Sequence, residues 1–281
     1  MKWKIVADSG CDIRQLEGLN ENVSYDFVPL MLDIGGDVFV DDQNVNIERL
    51  LDVMEKERSA ASSACPAPAN YAEAYKGAEN VIVFTLSSNL SGSYNSASLG
   101  KDLLLEENPE VNIHIFDTLS AGAEMNILVR KAAELANKGV AFDDLVEEMK
   151  NYHQHTNISF LLESVDNLVK NGRVNKILGQ MIGLLGIKLI GQRSSEGRIE
   201  LAHKSKGTKR ALKTLLNEFD TKKFNGHIME ISHSMNLPGA EQLKKQVIDK
   251  FPSAVIRITE MSGLCNFYAE RSGLIIGFET K

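Results

Sequence analysis

Val81-Ile82-Val83-Phe84, running into Thr85-Leu86-Ser87-Ser88-Asn89-Leu90-Ser91-Gly92-Ser93-Tyr94-Asn95-Ser96-Ala97, decides how this chain is read. The apolar run has the length and residue types of a short buried strand. Tyr94, Ala97 and Leu99, then Leu103 and Leu104, recur at near-helical spacing and predict a helix over Asn95–Leu105. Serines and a glycine fill the strand-to-helix turn between them. A helix that starts there leaves its first backbone N–H groups unpaired and pointing outward, a natural anion site. Hydroxyls at Ser87, Ser88, Ser91 and Ser93 add donors without charge, which suits a carboxylate or a phosphate. Ser and Asn are also favoured N-caps, so an ordinary helix cap competes with the anion site. A nucleophilic serine is a third reading. Ser91-Gly92-Ser93 lacks the Gly-x-Ser-x-Gly elbow spacing, however, and a Gly-x4-Gly-Lys-Ser/Thr phosphate loop is missing. Binding is therefore favoured over catalysis.

The same strand–turn–helix unit recurs outward from this stretch. Lys4–Ala7 and Ile113–Phe116 read as strands, and Ile47–Glu57, Tyr71–Tyr75, Ala123–Asn137 and Phe142–Tyr152 as helices. Such alternation predicts a mostly parallel sheet covered on both faces. Three strands end in polar turns, Asp8-Ser9-Gly10-Cys11-Asp12, Thr85-Leu86-Ser87-Ser88 and Asp117-Thr118-Leu119-Ser120. Ligands of open α/β sheets sit at the carboxyl ends of strands, so the three turns should converge on one crevice.

Around residue 157 the texture changes. Ser164–Lys170 reads as a short helix closed by Asn171-Gly172-Arg173, and a glycine-studded apolar segment, Ile177–Ile190, follows. Beyond a turn at Ser194-Ser195-Glu196-Gly197, the basic stretch His203–Arg210 leads into a helix ending near Phe219. A strand at His227–Ser232, a helix from Gly239 and strands at Ala254–Thr259 and Leu274–Phe278 complete the chain. The expected fold is α/β, with two α/β domains at 1–157 and 158–281 and a ligand tunnel between or beside them.

Composition narrows the class. The 281 residues suffice for one large domain or two ordinary ones, and 43% hydrophobic with 25% charged residues is a soluble globular balance. A net charge of −7 argues against a nucleic-acid footprint or attraction to anionic membranes. Met1-Lys2-Trp3-Lys4-Ile5 runs straight into the first strand, unlike a signal peptide. Ile177–Ile190 is too short for a bilayer and contains Gln180 and Lys188, so no stable membrane insertion is expected. Cys11, Cys65 and Cys265 are widely spaced without a Cys-x-x-Cys pair, which predicts a reduced, cytoplasmic protein. His153 and His155 face different sides of a helix and read as solvated rather than metal-binding, as do His227 and His233. No metal is expected. The Lys204–Arg210 run reads as a solvated helix start, or alternatively as a phosphate-facing or docking surface. Cys65 reads as a small buried thiol or a reactive one.

The residues so far quoted resemble the DegV family. Asp8-Ser9-Gly10-Cys11-Asp12-Ile13 is similar to its N-terminal Asp-Ser-Thr-x-Asp-Leu turn, and Val28-Pro29-Leu30 with Asp41-Asp42 to its Val-Pro-Leu segment and acidic turn. Leu86-Ser87-Ser88-Asn89-Leu90-Ser91-Gly92-Ser93-Tyr94-Asn95-Ser96-Ala97 resembles its Ser-Ser-x-Leu-Ser-Gly-Thr-Tyr-x-Ser-Ala signature. Leu168-Val169-Lys170-Asn171-Gly172-Arg173-Val174 is similar to Leu-x-x-Gly-Gly-Arg, and Ile187-Lys188-Leu189-Ile190 to Ile-Lys-Pro-Ile. The matches keep the family's order along the whole chain.

The resemblance implies a carrier of one long-chain fatty acid, without chemistry of its own, that presents the carboxylate to a fatty acid kinase subunit for conversion to an acyl phosphate. It implies no cofactor beyond the bound fatty acid. By position, Ser63 in Ser63-Ala64-Cys65-Pro66-Ala67-Pro68 and Ser91 would hold the carboxylate, with the Gly92 amide beside it. The alkyl tail would supply most of the affinity, at about 0.8 kcal/mol per buried methylene. Ile177–Leu189 is a candidate tunnel wall. Three positions depart from the family. Its C-terminal His-x-Gly-Pro-Gly is replaced by Tyr268-Ala269-Glu270-Arg271-Ser272-Gly273, where Tyr268 still offers a hydroxyl. Lys206 stands for an arginine and loses the bidentate fork, and Leu189 stands for a proline. Arg173 and Lys206 are the candidate contacts to a phosphate or partner, although Arg173 follows a helix C-cap, where a cation favours the macrodipole, and a purely structural role competes for it. A serine-dependent hydrolase for small esters or phosphates, or a regulatory module for another acidic metabolite, are the competing functions.

Overall fold

The computed structural model describes residues 2–57, 61–174 and 186–281. Strands β1 (Trp3–Asp8), β2 (Val23–Val28), β6 (Asn80–Thr85) and β7 (Asn112–Asp117) form a sheet in the order β2-β1-β6-β7, with every pair parallel. Val81–Phe84, the core of β6, is fully buried, as a central strand covered on both faces must be. Helices α2 (Pro68–Tyr75) and α3 (Ser93–Glu107) cover one face, where Tyr71, Tyr75 and Ala97 pack on Val6, Val81 and Val83. Helix α4 (Ala123–Asn137) covers the other through Met125, Leu128 and Val129, with α5 (Phe142–His153) beside it.

Short strands β3 (Met31–Ile34), β4 (Asp37–Val40) and β5 (Ala61–Ala64) form a small antiparallel sheet in the order β4-β3-β5. Helix α1 (Ile47–Lys56) intervenes, its first turn capped by the Asn46 side chain, which accepts from the Arg49 N–H at 2.9 Å. β5 reads Ala-Ser-Ser-Ala and has no β-branched or aromatic residue, so pairing with β3 alone makes it a strand. Neither this sheet nor β2 was foreseen from the sequence.

The second large sheet has six strands in the order β10-β9-β8-β13-β11-β12, only the last pair being parallel. Its members are β8 (Thr156–Leu162), β9 (Ile187–Arg193), β10 (Ile199–Lys206), β11 (Phe224–His233), β12 (Val255–Glu260) and β13 (Leu274–Thr280). Side chains alternate between its faces. Leu161, Ile190, Leu274, Ile276 and Phe278 pack beneath α7 (Thr208–Thr221) and α8 (Leu237–Lys250). The opposite face meets α4, which is thereby sandwiched between the two large sheets. Gly277 permits the close approach, since a Cβ there would stand 2.5 Å from the Glu124 amide nitrogen. Helix α6 (Asp166–Lys170) follows β8, and α9 (Gly263–Ala269) sends Leu264 and Phe267 into the core that also holds Leu30 and Phe84.

Several local expectations change. Lys204–Lys206 lie on β10 and the helix begins at Thr208, so the basic run is not one helix start. His153 is half-buried, edge-on to Phe116 at 5.3 Å, and its Nε2 has no partner among the described residues; burial holds its pKa below the usual histidine range. His233 is also buried, its Nδ1 accepting from the Asn236 N–H at 3.3 Å. The solvated reading holds for His155 and His227, not for these two. Most of the Ile177–Leu189 wall lies outside the described residues. Among the described residues no helix is long and apolar enough to cross a membrane.

Candidate functional site

The three polar turns meet, as the strand order requires. Asp8 sits at the centre: its carboxylate accepts from the Leu86 N–H at 2.8 Å and the Gly10 N–H at 3.0 Å. The Ser87 N–H donates to the Ser120 carbonyl at 3.0 Å, and the Gly122 N–H to the Gly10 carbonyl at 2.7 Å. Burial pushes the Asp8 carboxyl up to about 7, against those two backbone hydrogen bonds and one from Ser93. Asp8 is thus structural, holding the β1 and β6 turns together.

A cavity of about 370 Å³ opens where these turns face the second sheet. The first half of the chain contributes Leu30, Leu86, Leu90, Leu119 and Ala121 to its wall. The second contributes Ile158, Phe160 and Leu162 of β8, Leu168 of α6, Leu264 of α9 and Ile275 of β13. Its wall also carries polar side chains, Gln192 and Arg198 among them, and two groups of these have defined partners. Ser120 and Arg193 are committed to Glu124: Ser120 Oγ donates at 2.6 Å, Arg193 Nε at 3.0 Å, and Thr156 Oγ1 completes the shell at 2.8 Å.

The other group contains Ser63, Ser91, Gly92, Arg173 and Tyr268, all on the cavity wall. Ser63 on β5 and Tyr268 on α9 share a hydrogen bond of 2.8 Å between hydroxyls. Ser91 Oγ lies 3.0 Å from Ser93 Oγ and accepts from the Ser93 N–H at 3.2 Å. Gly92 is the residue before α3, so the helix N-terminus opens here. A Cβ on Gly92 would stand 3.1 Å from Cys65 Sγ, which joins the β5 turn to the α3 turn. Cys65 is exposed, contrary to a buried thiol. Arg173 Nε donates to the Leu90 carbonyl at 2.8 Å and thereby ties the segment after α6 to the serine turn.

Two other serines of the turn have other duties. Ser93 is buried, and Ser87 donates to the Gly197 carbonyl at 2.9 Å, which docks the β9–β10 turn onto the first sheet. Lys206 is not brought to this cavity. It lies in a separate surface depression with Lys209, Arg210 and Lys213.

Two residues position Tyr268 without touching the cavity. Asp41 accepts from the Gly263 and Leu264 N–H groups at 2.7 and 2.9 Å, which anchors the start of α9, and pairs with Arg14 at 2.8 Å. Burial raises its pKa, with Arg14 opposing. Glu270, where the resemblance expects glycine, keeps a glycine-like backbone with φ 54 and ψ −179. Its carboxylate accepts from Ser164 Oγ at 2.9 Å and the Asn167 N–H at 3.2 Å, so α9 is pinned to α6. Arg271 bridges to Asp52 and Glu55 on α1. Period-two alternation in Ile158, Phe160 and Leu162, on a strand the sequence-based expectations do not include, is the sequence signal of the cavity wall.

A parallel sheet and a mixed six-stranded sheet around one apolar cavity, with a helix N-terminus and hydroxyls on its wall, define an α/β protein built for binding an amphipathic ligand. The DegV family model, described as "Uncharacterised protein, DegV family", matches residues 2–281, and the chain belongs to this family. A DegV domain-containing protein of Streptococcus pyogenes serotype M3 is 44% identical over 279 residues, which cover 99% of this chain and 100% of that one. The crystal structure of the Streptococcus pneumoniae fatty acid kinase (Fak) B3 protein loaded with linoleic acid is 40% identical, covers 100% of both chains and superposes with a TM-score of 0.98. A DegV family protein from Eubacterium eligens loaded with heptadecanoic acid is 32% identical, with 99% of this chain and 100% of that chain covered and a TM-score of 0.96.

Proposed function

We propose that this chain binds one long-chain fatty acid and presents its carboxylate to a partner fatty acid kinase in the cytoplasm, itself performing no chemistry. The observation that carries the reading is the pairing of an apolar cavity with hydroxyls and a helix N-terminus on one part of its wall. A carboxylate placed there would accept from Ser63 or Tyr268, from Ser91 and from the Gly92 amide. Charge-assisted bonds of this kind are stronger than neutral ones, and the helix dipole adds to them. The tail would run along β8. Residues 1–157 and 158–281 would act as two lobes closing on it. Two structural neighbours loaded with linoleic and heptadecanoic acid support the choice of ligand.

Arg173, on the same wall, is the residue suited to an incoming phosphoryl group. Lys206 is suited only to docking, because it lies in the separate cationic depression. Lipid extraction and native mass spectrometry of the purified protein should reveal one acyl chain. Protein that carries none and takes up none overturns the reading. Acyl phosphate formation with a bacterial fatty acid kinase and ATP should depend on the loaded protein. The hydrolase alternative lacks a base at hand: no histidine, aspartate or glutamate lines the cavity among the described residues. A fluorophosphonate probe that labels Ser91 would revive it.

A further inference from the structure

We infer that Phe160, seated on Gly191, sets the length of acyl chain the cavity accepts; the inference rests on the fatty-acid reading above. β8 gives the cavity every second residue from Ile158 to Leu162, along about 13 Å of strand. Phe160 is the middle one and is 7% exposed. Leu162 and Phe160 pack in the same apolar cluster as Tyr268, and Ile158 does not. The Ile158 end leads instead to Thr156, Arg193 and Glu124. Phe160 therefore stands midway between the hydroxyl group and the far end.

Directly opposite Phe160 across the sheet are Ile275 on one side and Gly191 on the other. Paired residues share a face, so all three belong to the cavity side. The glycine is required by space. A Cβ on Gly191 would overlap Cε2 and Cζ of the Phe160 ring and stand 2.6 Å from the Glu200 carbonyl oxygen. The ring therefore lies over bare backbone, an aromatic covering a glycine across strands. Its bulk fills the pit left by the absent side chain, and the ring closes that pit off from the cavity it lines. With any larger residue at 191 the backbone carbonyl cannot yield, and the ring must turn away. Ile275 blocks the other flank, so the ring turns into the cavity. That divides the space midway, keeping the part near Ser63 and Ser91 and closing the part toward Ile158.

The test compares the wild type, Gly191→Ala, Phe160→Ala and the double variant by calorimetric titration with decanoic, myristic, palmitic and stearic acids. Gly191→Ala should lose about tenfold or more in stearic acid affinity, the scale of one misplaced side chain in a packed pocket, and keep decanoic acid within about threefold. The double variant should recover stearic acid. Equal loss across the four acids in a folded Gly191→Ala protein, or no loss for any, overturns the inference. If Gly191→Ala does not fold, Phe160→Ala decides: a relative gain for stearic over decanoic acid supports the ruler and an unchanged ratio overturns it. A wild type that binds none of the acids fails the carrier reading as a whole, whereas uniform effects on a wild type that binds fail the Phe160–Gly191 pair alone.

Discussion

The hydroxyls of Ser63 and Tyr268 stand 2.8 Å apart, joining residues 205 positions apart in the chain on one cavity wall. Two hydroxyls in a mutual hydrogen bond use one of their two protons, which leaves the other O–H for a third acceptor. The pair is therefore a preset donor for an anion. Ser63→Ala and Ser91→Ala should each weaken fatty acid binding by about 1–3 kcal/mol, and Tyr268→Phe by a similar amount, in calorimetric titration. Wild-type affinity in both serine variants would refute the carboxylate assignment.

Asp8 predicts a pH dependence of stability. Burial pushes its carboxyl up to about 7 in the fold, against an ordinary value of 3.8. The folded state thus holds the proton more tightly than the unfolded chain. The stability this confers is complete below the unfolded value and is lost as pH rises through the folded one. Half-buried His153 and buried His233, whose pKa values are lowered by desolvation, act in the opposite direction. The measurement is therefore a difference: the melting temperature of wild type minus that of Asp8→Asn should fall from about pH 4 to pH 7 and then level off. A flat difference would mean Asp8 is not the titrating group.

Glu124 and Arg193 form a buried ion pair between α4 and β9, with Glu124 wholly inaccessible. Arg193→Met leaves that carboxylate without its counter-charge and should cost about 3–5 kcal/mol in urea unfolding. Replacing both, as Glu124→Leu with Arg193→Met, should recover much of the loss, because no unpaired charge remains. A double variant as unstable as Arg193→Met would show that packing, not charge, is at stake.

Gly100 lies in the middle of α3, where alanine is ordinarily better by about 1 kcal/mol. Here a Cβ would stand 2.7 Å from the Pro68 carbonyl oxygen and 2.7 Å from Tyr71 Cβ on α2. Gly100→Ala should therefore lower stability by about 1–3 kcal/mol by chemical denaturation. A stabilised variant would mean that α2 moves aside at little cost.

The parallel sheet was legible because its strands are short apolar runs followed by helices of strong period, as Val81–Phe84 and Ala123–Asn137 show. The small sheet was not, since Ala61–Ala64 carries no strand signal and exists through its partner. Ser63, Ser91, Gly92 and Tyr268 were found through family motifs and share one cavity wall, with Arg173 beside them. Lys206, named by the same motifs as a phosphate or partner contact, lies in the separate cationic depression with Lys209, Arg210 and Lys213. Glu270 and Asp41 had no readable role: each anchors Tyr268 through backbone groups distant in sequence.

By itself the sequence determined the α/β class, the family and the serine turn at a helix start, since each depends on local periodicity or on contiguous residues. Only the tertiary structure decided which hydroxyls face a common space. In the turn between β6 and α3, Ser87 and Ser93 are spent on Gly197 and on Ser91 and Asp8, and Ser91 alone of the three lines the cavity. A hydroxyl's partner is set by whatever the folded chain brings within about 3 Å, and that distance is not a function of sequence separation.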